Sequence, residues 1–103
     1  MAGSGTKVII ALDADDLVQA KSIVKTAGDR VKFYKIGSIL FTRFGPRALE
    51  VARSEGKEIF LDLKFHDIPN TVKGAVRAAA SWGVSLLTVH TAGGVEMMSA
   101  AAE

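Results

Sequence analysis

The chain has 103 residues, of which 49% are hydrophobic, and this is enough apolar material for one compact core. Thirteen Lys and Arg against eleven Asp and Glu give a net charge of +2 that is spread along the chain, unlike the basic patch of a nucleic-acid-binding protein. The absence of Cys excludes a disulfide framework and thiolate chemistry. The longest apolar run, Val8 to Leu12, is far too short to cross a bilayer, and Met1 to Thr6 does not have the pattern of a signal peptide. We therefore expect a cytoplasmic domain that binds neither nucleic acid nor membranes.

Short β-type runs alternate with helical patterns along the whole chain. The first run is rich in Val and Ile and is followed by Asp15 and Asp16, which are good helix N-caps, and by a helical pattern that ends at Gly28. The β-then-α pattern recurs three more times, and the second helical stretch is interrupted at Gly45-Pro46. In chain order, strands are predicted over Lys7–Asp13, Val31–Gly37, Ile59–Leu63 and Ser85–His90. The later helices are predicted from Ser38 to about Gly56, from Pro69 to the residue before Gly83, and after Gly94 through Val95, Met98 and Ala101.

Strands that alternate with helices imply parallel neighbours joined by right-handed crossovers, either in an open sheet or in part of a barrel. One face of each predicted strand is apolar, while the opposite face turns polar only near the C-terminal strand ends. This pattern favours a barrel, whose active site lies at that end and whose full form takes about 250 residues. We therefore predict half of a (β/α)8 TIM barrel: an N-terminal domain of four βα units over residues 1–103, with the C-terminal half absent and two strand edges exposed.

Polar residues near the predicted strand ends share one phase: Asp13, Lys35, Asp62, Lys64 and His90. Asp62 and Lys64 lie two residues apart on one strand, which places their side chains on the same face about 6.6 Å apart along it. Asp67 follows three residues later, in the loop before the third helix. Burying charges costs several kcal/mol per ion unless they are paired or used. The set therefore indicates a functional site.

Each of these residues taken singly also has a structural explanation. Asp13 and Asp67 are suitable helix N-caps, and Lys35 can extend to solvent from a strand end. His90 fits a satisfied core histidine as well as a ligand contact. The agreement in phase across four strands favours the functional interpretation.

The segment from Phe60 to Thr71, FLDLKFHDIPNT, resembles the Asp-x-Lys-x-x-Asp signature and the following Ile-Pro-x-Thr of the orotidine 5′-phosphate decarboxylase family. Three further segments agree in the family's order: Ile10–Asp13, Phe33–Gly37 and Thr88–Gly94. The resemblance extends from about Val8 to Ala101. It implies a barrel enzyme of pyrimidine synthesis that converts a small nucleotide, orotidine 5′-monophosphate, to UMP without a cofactor or metal.

The same resemblance implies roles for individual residues. Lys64 is the proton donor to the C6 carbanion, and it shares a charged catalytic network with Lys35, Asp62 and Asp67. Asp13 and Lys35 contact the ribose hydroxyls, while Asp67 and Thr71 reach the neighbouring subunit's site in the family homodimer. The implied substrate-binding residues are Asp13, Lys35, Asp62, Lys64, Asp67, Thr71 and His90.

Two alternatives remain open. The first is an Mg²⁺-dependent relative, a keto-gulonate-phosphate decarboxylase or hexulose-phosphate synthase, in which the resemblance implies an acidic residue at the position of Lys35. The second is an inactive half-barrel whose main behaviour is self-association, with strand one of each copy pairing with strand four of the other. Because the family binds the substrate phosphate through segments after its later strands, we expect the isolated chain to have little or no activity.

Overall fold

The computed structural model describes residues 5–103, and the first four residues of the predicted lead-in lie outside the described part. The strands are β1 (Ile9–Ala11), β2 (Phe33–Gly37), β3 (Glu58–Phe65) and β4 (Leu86–Val89). The helices are α1 (Leu17–Ala27), α2 (Ser38–Phe44), α3 (Arg47–Arg53), α4 (Pro69–Ser81) and α5 (Val95–Ala102), with 3-10 turns at Gly28–Arg30 and Thr91–Gly93. The strands form one parallel sheet in the order β1-β2-β3-β4, as the alternating pattern predicts.

Helix boundaries follow local signals in the sequence. The Asp16 carboxylate accepts a hydrogen bond from the Gln19 N–H at 2.7 Å and caps α1, as predicted. The chain leaves α1 at Gly28 and α2 at Gly45, both with positive φ, a conformation that only glycine adopts without strain. Pro46 follows Gly45 directly, so the predicted interruption separates α2 from α3.

The core lies between the sheet and the helices. The central strands supply side chains that are at most 2% exposed: Tyr34 and Ile36 from β2, and Ile59 and Leu61 from β3. They pack against buried residues of α1, α2 and α3, among them Val24, Leu40, Leu49 and Val51. The prediction of a helix-facing apolar surface is confirmed for these strands. It is wrong for Val8, which is 63% exposed because β1 begins only at Ile9 and pairs with one neighbour.

The predicted last helix is present as α5 and packs one side chain into the interior. Val95 is 74% exposed, whereas Met97 is fully buried. The cause is Gly93, because a Cβ atom at that position would collide with the Met97 sulfur. The space left by the missing side chain therefore receives Met97, and α5 turns Val95 outward.

The sheet ends at β1 on one side and at β4 on the other, so both predicted open edges are present. Ile9 of β1 is 38% exposed and Leu86 of β4 is 48% exposed. None of the helices within residues 5–103 is both long and apolar enough to span a membrane.

Candidate functional site

A cleft of about 270 Å³ opens where β1, β2 and β3 end. Parallel strands place their carboxyl ends at one edge, so residues from three separate βα units meet there. The charged residues that line the cleft are Asp13, Asp15, Lys35, Asp62 and Lys64. All of them except Asp15 are site residues predicted from the sequence. Because they come from three successive βα units, they meet only when all three units are folded.

Asp62 is the centre of this charged cluster. Both of its carboxylate oxygens accept hydrogen bonds from the Lys64 ammonium at 3.0 Å, and the Lys35 ammonium lies 3.6 Å from Oδ2. The Thr88 hydroxyl donates to Oδ1 at 2.7 Å. The Asp62 side chain is only 12% exposed, against 31% for Lys35 and 64% for Lys64. A nearly buried anion thus holds two more exposed cations at the mouth of the cleft.

The surroundings of Asp62 favour its ionised form. The hydrogen bond from Thr88 lowers the pKa of the Asp62 carboxyl most, followed by the hydrogen bond from Lys64. Partial burial acts in the opposite direction, while the charges of Lys64 and Lys35 lower the pKa further. Asp62 is therefore a carboxylate at neutral pH, and it provides a fixed negative charge beside Lys64.

The backbone at Lys64 departs from the regular strand that the sequence predicts. Its φ of 52° makes it the one non-glycine residue with positive φ within residues 5–103. A non-glycine residue in this region costs on the order of 1–3 kcal/mol and persists only where surrounding contacts impose it. The two-residue spacing still brings Lys64 to Asp62, but through a bulged turn of β3 and not through regular alternation.

The other predicted residues do not line the charged cleft. Asp67 lies in the loop before α4, where its carboxylate accepts a hydrogen bond from the Ile68 N–H at 2.7 Å, and Thr71 is exposed in the first turn of α4. His90 follows β4, and its ring stacks on that of His66 with the centroids 5.0 Å apart. Asp67 and His66 border a second, open depression beside the 3-10 turn at Thr91–Gly93.

Thr88 is not among the predicted site residues, although it shares the phase of Lys64 and His90. Its hydroxyl contacts both Asp62 and the backbone of Lys64. The stacking of His66 on His90 was also missed, because the two residues come from different βα units. Within residues 5–103, no group of three or more His, Cys, Asp or Glu side chains is placed to hold a metal ion.

Comparison with known proteins relates this fold and site to characterised families. Residues 6–103 match the family model described as orotidine 5′-phosphate decarboxylase / HUMPS family. A protein from Nostoc sp. named orotidine 5′-phosphate decarboxylase is 52% identical over 100 residues, which cover 97% of this chain and 42% of that protein. The protein of the same name from Chromohalobacter salexigens is 53% identical over 98 residues, again 42% of its length.

Solved structures show the same likeness. The crystal structure of orotidine 5′-phosphate decarboxylase from Lactobacillus acidophilus superposes with a TM-score of 0.83 at 42% identity, and the match covers 92% of this chain and 43% of that one. The Pyrococcus horikoshii enzyme gives a TM-score of 0.83 at 29% identity, over 91% of this chain and 46% of that one. The chain thus spans about two fifths of the curated relatives that it matches, and the prediction of a half-barrel fold is confirmed. It belongs to the orotidine 5′-phosphate decarboxylase / HUMPS family.

Proposed function

We propose that the charged cleft decarboxylates orotidine 5′-monophosphate to UMP without a cofactor. The observation that carries this proposal is the Lys64 ammonium, held 3.0 Å from both oxygens of an ionised Asp62 at the carboxyl ends of the strands. In the reaction the bond between C6 and the carboxylate breaks, CO₂ leaves, and the electron pair stays on C6. Lys64 then gives a proton to C6 and regains one from solvent.

The electrostatics of the cleft support this chemistry. A fixed ammonium stabilises negative charge that develops at C6 and costs no solvent reorganisation during the step. The same group would deliver the proton to C6 of a substrate bound in the cleft, as a positioned general acid does. Asp62 orients the Lys64 ammonium through two hydrogen bonds, and Lys35 completes the catalytic network from the neighbouring strand.

Substrate contacts are proposed for the remaining site residues. Asp13, in the loop after β1, and Lys35 of β2 line the cleft and would bind the ribose hydroxyls. Asp67 and Thr71 are exposed outside the cleft, which suits a role in the neighbouring subunit's site of a homodimer. Asp67 would also join the catalytic network there. His90 would contact substrate through Nε2, since its Nδ1 accepts the Ala92 N–H at 3.1 Å.

The site favours this reaction over that of the Mg²⁺-dependent relatives. Two ammonium groups and one hydroxyl already surround the Asp62 carboxylate. A divalent cation bound to Asp62 would lie against both lysines, and the repulsion would oppose its binding. A chelator is therefore expected to leave turnover unchanged.

Self-association is a second proposal, and the two exposed sheet edges favour it. Ile9 on β1 and Leu86 on β4 are apolar and partly exposed at opposite ends of the sheet. Two copies related by a two-fold axis would pair each β1 with the other β4, which closes eight strands and covers both edges.

The decarboxylase proposal is tested by the ultraviolet absorbance change of orotidine 5′-monophosphate. The chain is assayed alone and together with the part of the Nostoc relative that lies beyond the matched region, with and without EDTA. We expect turnover that is very slow alone, faster in the mixture and insensitive to EDTA, because remote phosphate binding supports the chemistry. Turnover equal to that of a Lys64→Ala blank in both cases would refute the proposal, and loss of turnover with EDTA would favour the Mg²⁺-dependent relatives.

A further inference from the structure

The pairing of β3 with β4 is interrupted beside Lys64. Leu61 pairs with Leu87 and Phe65 pairs with Val89, so three residues of β3, 62 to 64, face the single residue Thr88 of β4. In such a bulge the extra residues lose their regular ladder partners. The interruption includes both Asp62 and Lys64, and Lys64 has its left-handed conformation there.

The Thr88 side chain replaces the missing ladder contact. The Lys64 backbone N–H donates to Thr88 Oγ1 at 3.0 Å, and the Thr88 hydroxyl donates to Asp62 Oδ1 at 2.7 Å. A hydroxyl has one proton and two lone pairs, so donation to the carboxylate leaves an acceptor for the amide. One side chain from the neighbouring strand thus fixes the backbone of the lysine and the carboxylate that holds its ammonium.

We propose that Thr88 is a positioning residue for the proton donor: it keeps Lys64 in the left-handed conformation and aims Asp62 at the Lys64 ammonium. This inference rests on the decarboxylase proposal for its functional meaning. Thr88 itself does not touch the reacting atoms and acts through Lys64 and Asp62. Serine at this position keeps both hydrogen bonds, whereas valine keeps the shape and removes both.

The consequences of Thr88→Val are specific. Loss of the hydrogen bond that lowers the pKa of Asp62 most will raise that pKa. The Lys64 amide will lose its acceptor, and its resonance will shift. Because small misplacement of a catalytic group can cost up to about a hundredfold in rate, we expect a fall of about tenfold to a hundredfold in kcat with little change in KM.

The test compares Thr88→Val, Thr88→Ser and a control, Thr26→Val, which changes an exposed threonine of α1. Carbon-13 NMR follows the titration of Asp62, nitrogen-15 NMR follows the Lys64 amide, and both measurements are independent of turnover. The proposal is supported if the valine variant has a raised Asp62 pKa and a shifted Lys64 amide resonance. The serine and control variants should keep both values close to those of the unsubstituted chain. Unchanged values in the valine variant, or equal changes in the serine variant, would overturn it.

Two further results separate this proposal from the proposed function. If the unsubstituted chain and its Nostoc mixture show no turnover, the decarboxylase proposal fails while the NMR result still decides the positioning of Lys64. If Thr88→Val does not fold, amide hydrogen exchange of the unsubstituted chain decides instead. We expect the Lys64 amide to be protected although it lacks a ladder partner, and exchange as fast as that of an exposed loop amide would overturn the proposal.

Discussion

Asp62→Asn is expected to destabilise the chain by about 1–2 kcal/mol at neutral pH. The asparagine carbonyl keeps an acceptor for Thr88, but a hydrogen bond to a charged group contributes about 1.5–3 kcal/mol against about 0.5–1.5 for a neutral pair. This difference is about 1 kcal/mol. The two lysine pairs add at most about 1 kcal/mol, because Lys64 is 64% and Lys35 31% exposed to solvent.

The destabilisation should depend on pH with a defined sign. The folded chain holds the pKa of Asp62 below its ordinary value of 3.8. A carboxyl with a lowered pKa contributes stability that is fully present above the pKa of the unfolded chain and is lost as the pH falls through the folded value. The difference in free energy of unfolding between the unsubstituted chain and Asp62→Asn is therefore constant near neutrality. It decreases below pH 3.8 and disappears at lower pH.

Urea unfolding followed by circular dichroism at a series of pH values measures this difference. Asp29→Asn is the matched control, because Asp29 is exposed in the 3-10 turn after α1, and we expect it to change stability by less than about 0.5 kcal/mol. An Asp62→Asn variant as stable as the unsubstituted chain at pH 7 would refute the reasoning. So would a difference that persists unchanged below the folded pKa.

Three other substitutions test separate parts of the structure. Lys64→Gly should be more stable than Lys64→Ala by about 1 kcal/mol in urea unfolding, because only glycine adopts a φ of 52° without strain; equal stability would mean that the backbone there is relaxed. Tyr34→Phe should be neutral or stabilising by up to about 1 kcal/mol in thermal unfolding, since the buried Tyr34 hydroxyl has no hydrogen-bond partner within residues 5–103. A clear loss of stability would indicate a bound water. Leu86→Lys should reduce the molar mass measured by light scattering towards that of a monomer, because a charge on the β4 edge opposes pairing; an unchanged mass would place the contact elsewhere.

The sequence was sufficient to predict the βα alternation because its signals are local. Val- and Ile-rich runs favour strands, Asp16 caps α1, and Gly45-Pro46 separates two helices. The meeting of Asp13, Lys35 and Asp62 at one cleft was also predictable, because parallel strands place their carboxyl ends together. These features require only neighbouring residues and the direction of the chain.

Features that depend on contacts between units could not be predicted in this way. The bulge at Lys64 involves Thr88, which lies 24 residues further along the chain and belongs to the next strand. Burial of Met97 depends on the space at Gly93, about which helical periodicity carries no information. Regular strand alternation therefore predicts the correct face for Lys64 but not its strained backbone. It also gives no reason to include Thr88 in the site.

The central claim is that the Lys64 ammonium stabilises and then protonates the carbon from which CO₂ departs. Orotidine 5′-monophosphate labelled with carbon-13 at the carboxylate is incubated with the chain and the complementary part of the Nostoc relative, and NMR follows the appearance of labelled CO₂ and bicarbonate. We predict labelled product from the unsubstituted chain and none above background from Lys64→Ala, because this variant loses both the charge that stabilises the C6 carbanion and its proton donor. Equal release of label by the unsubstituted chain and Lys64→Ala would contradict the assignment.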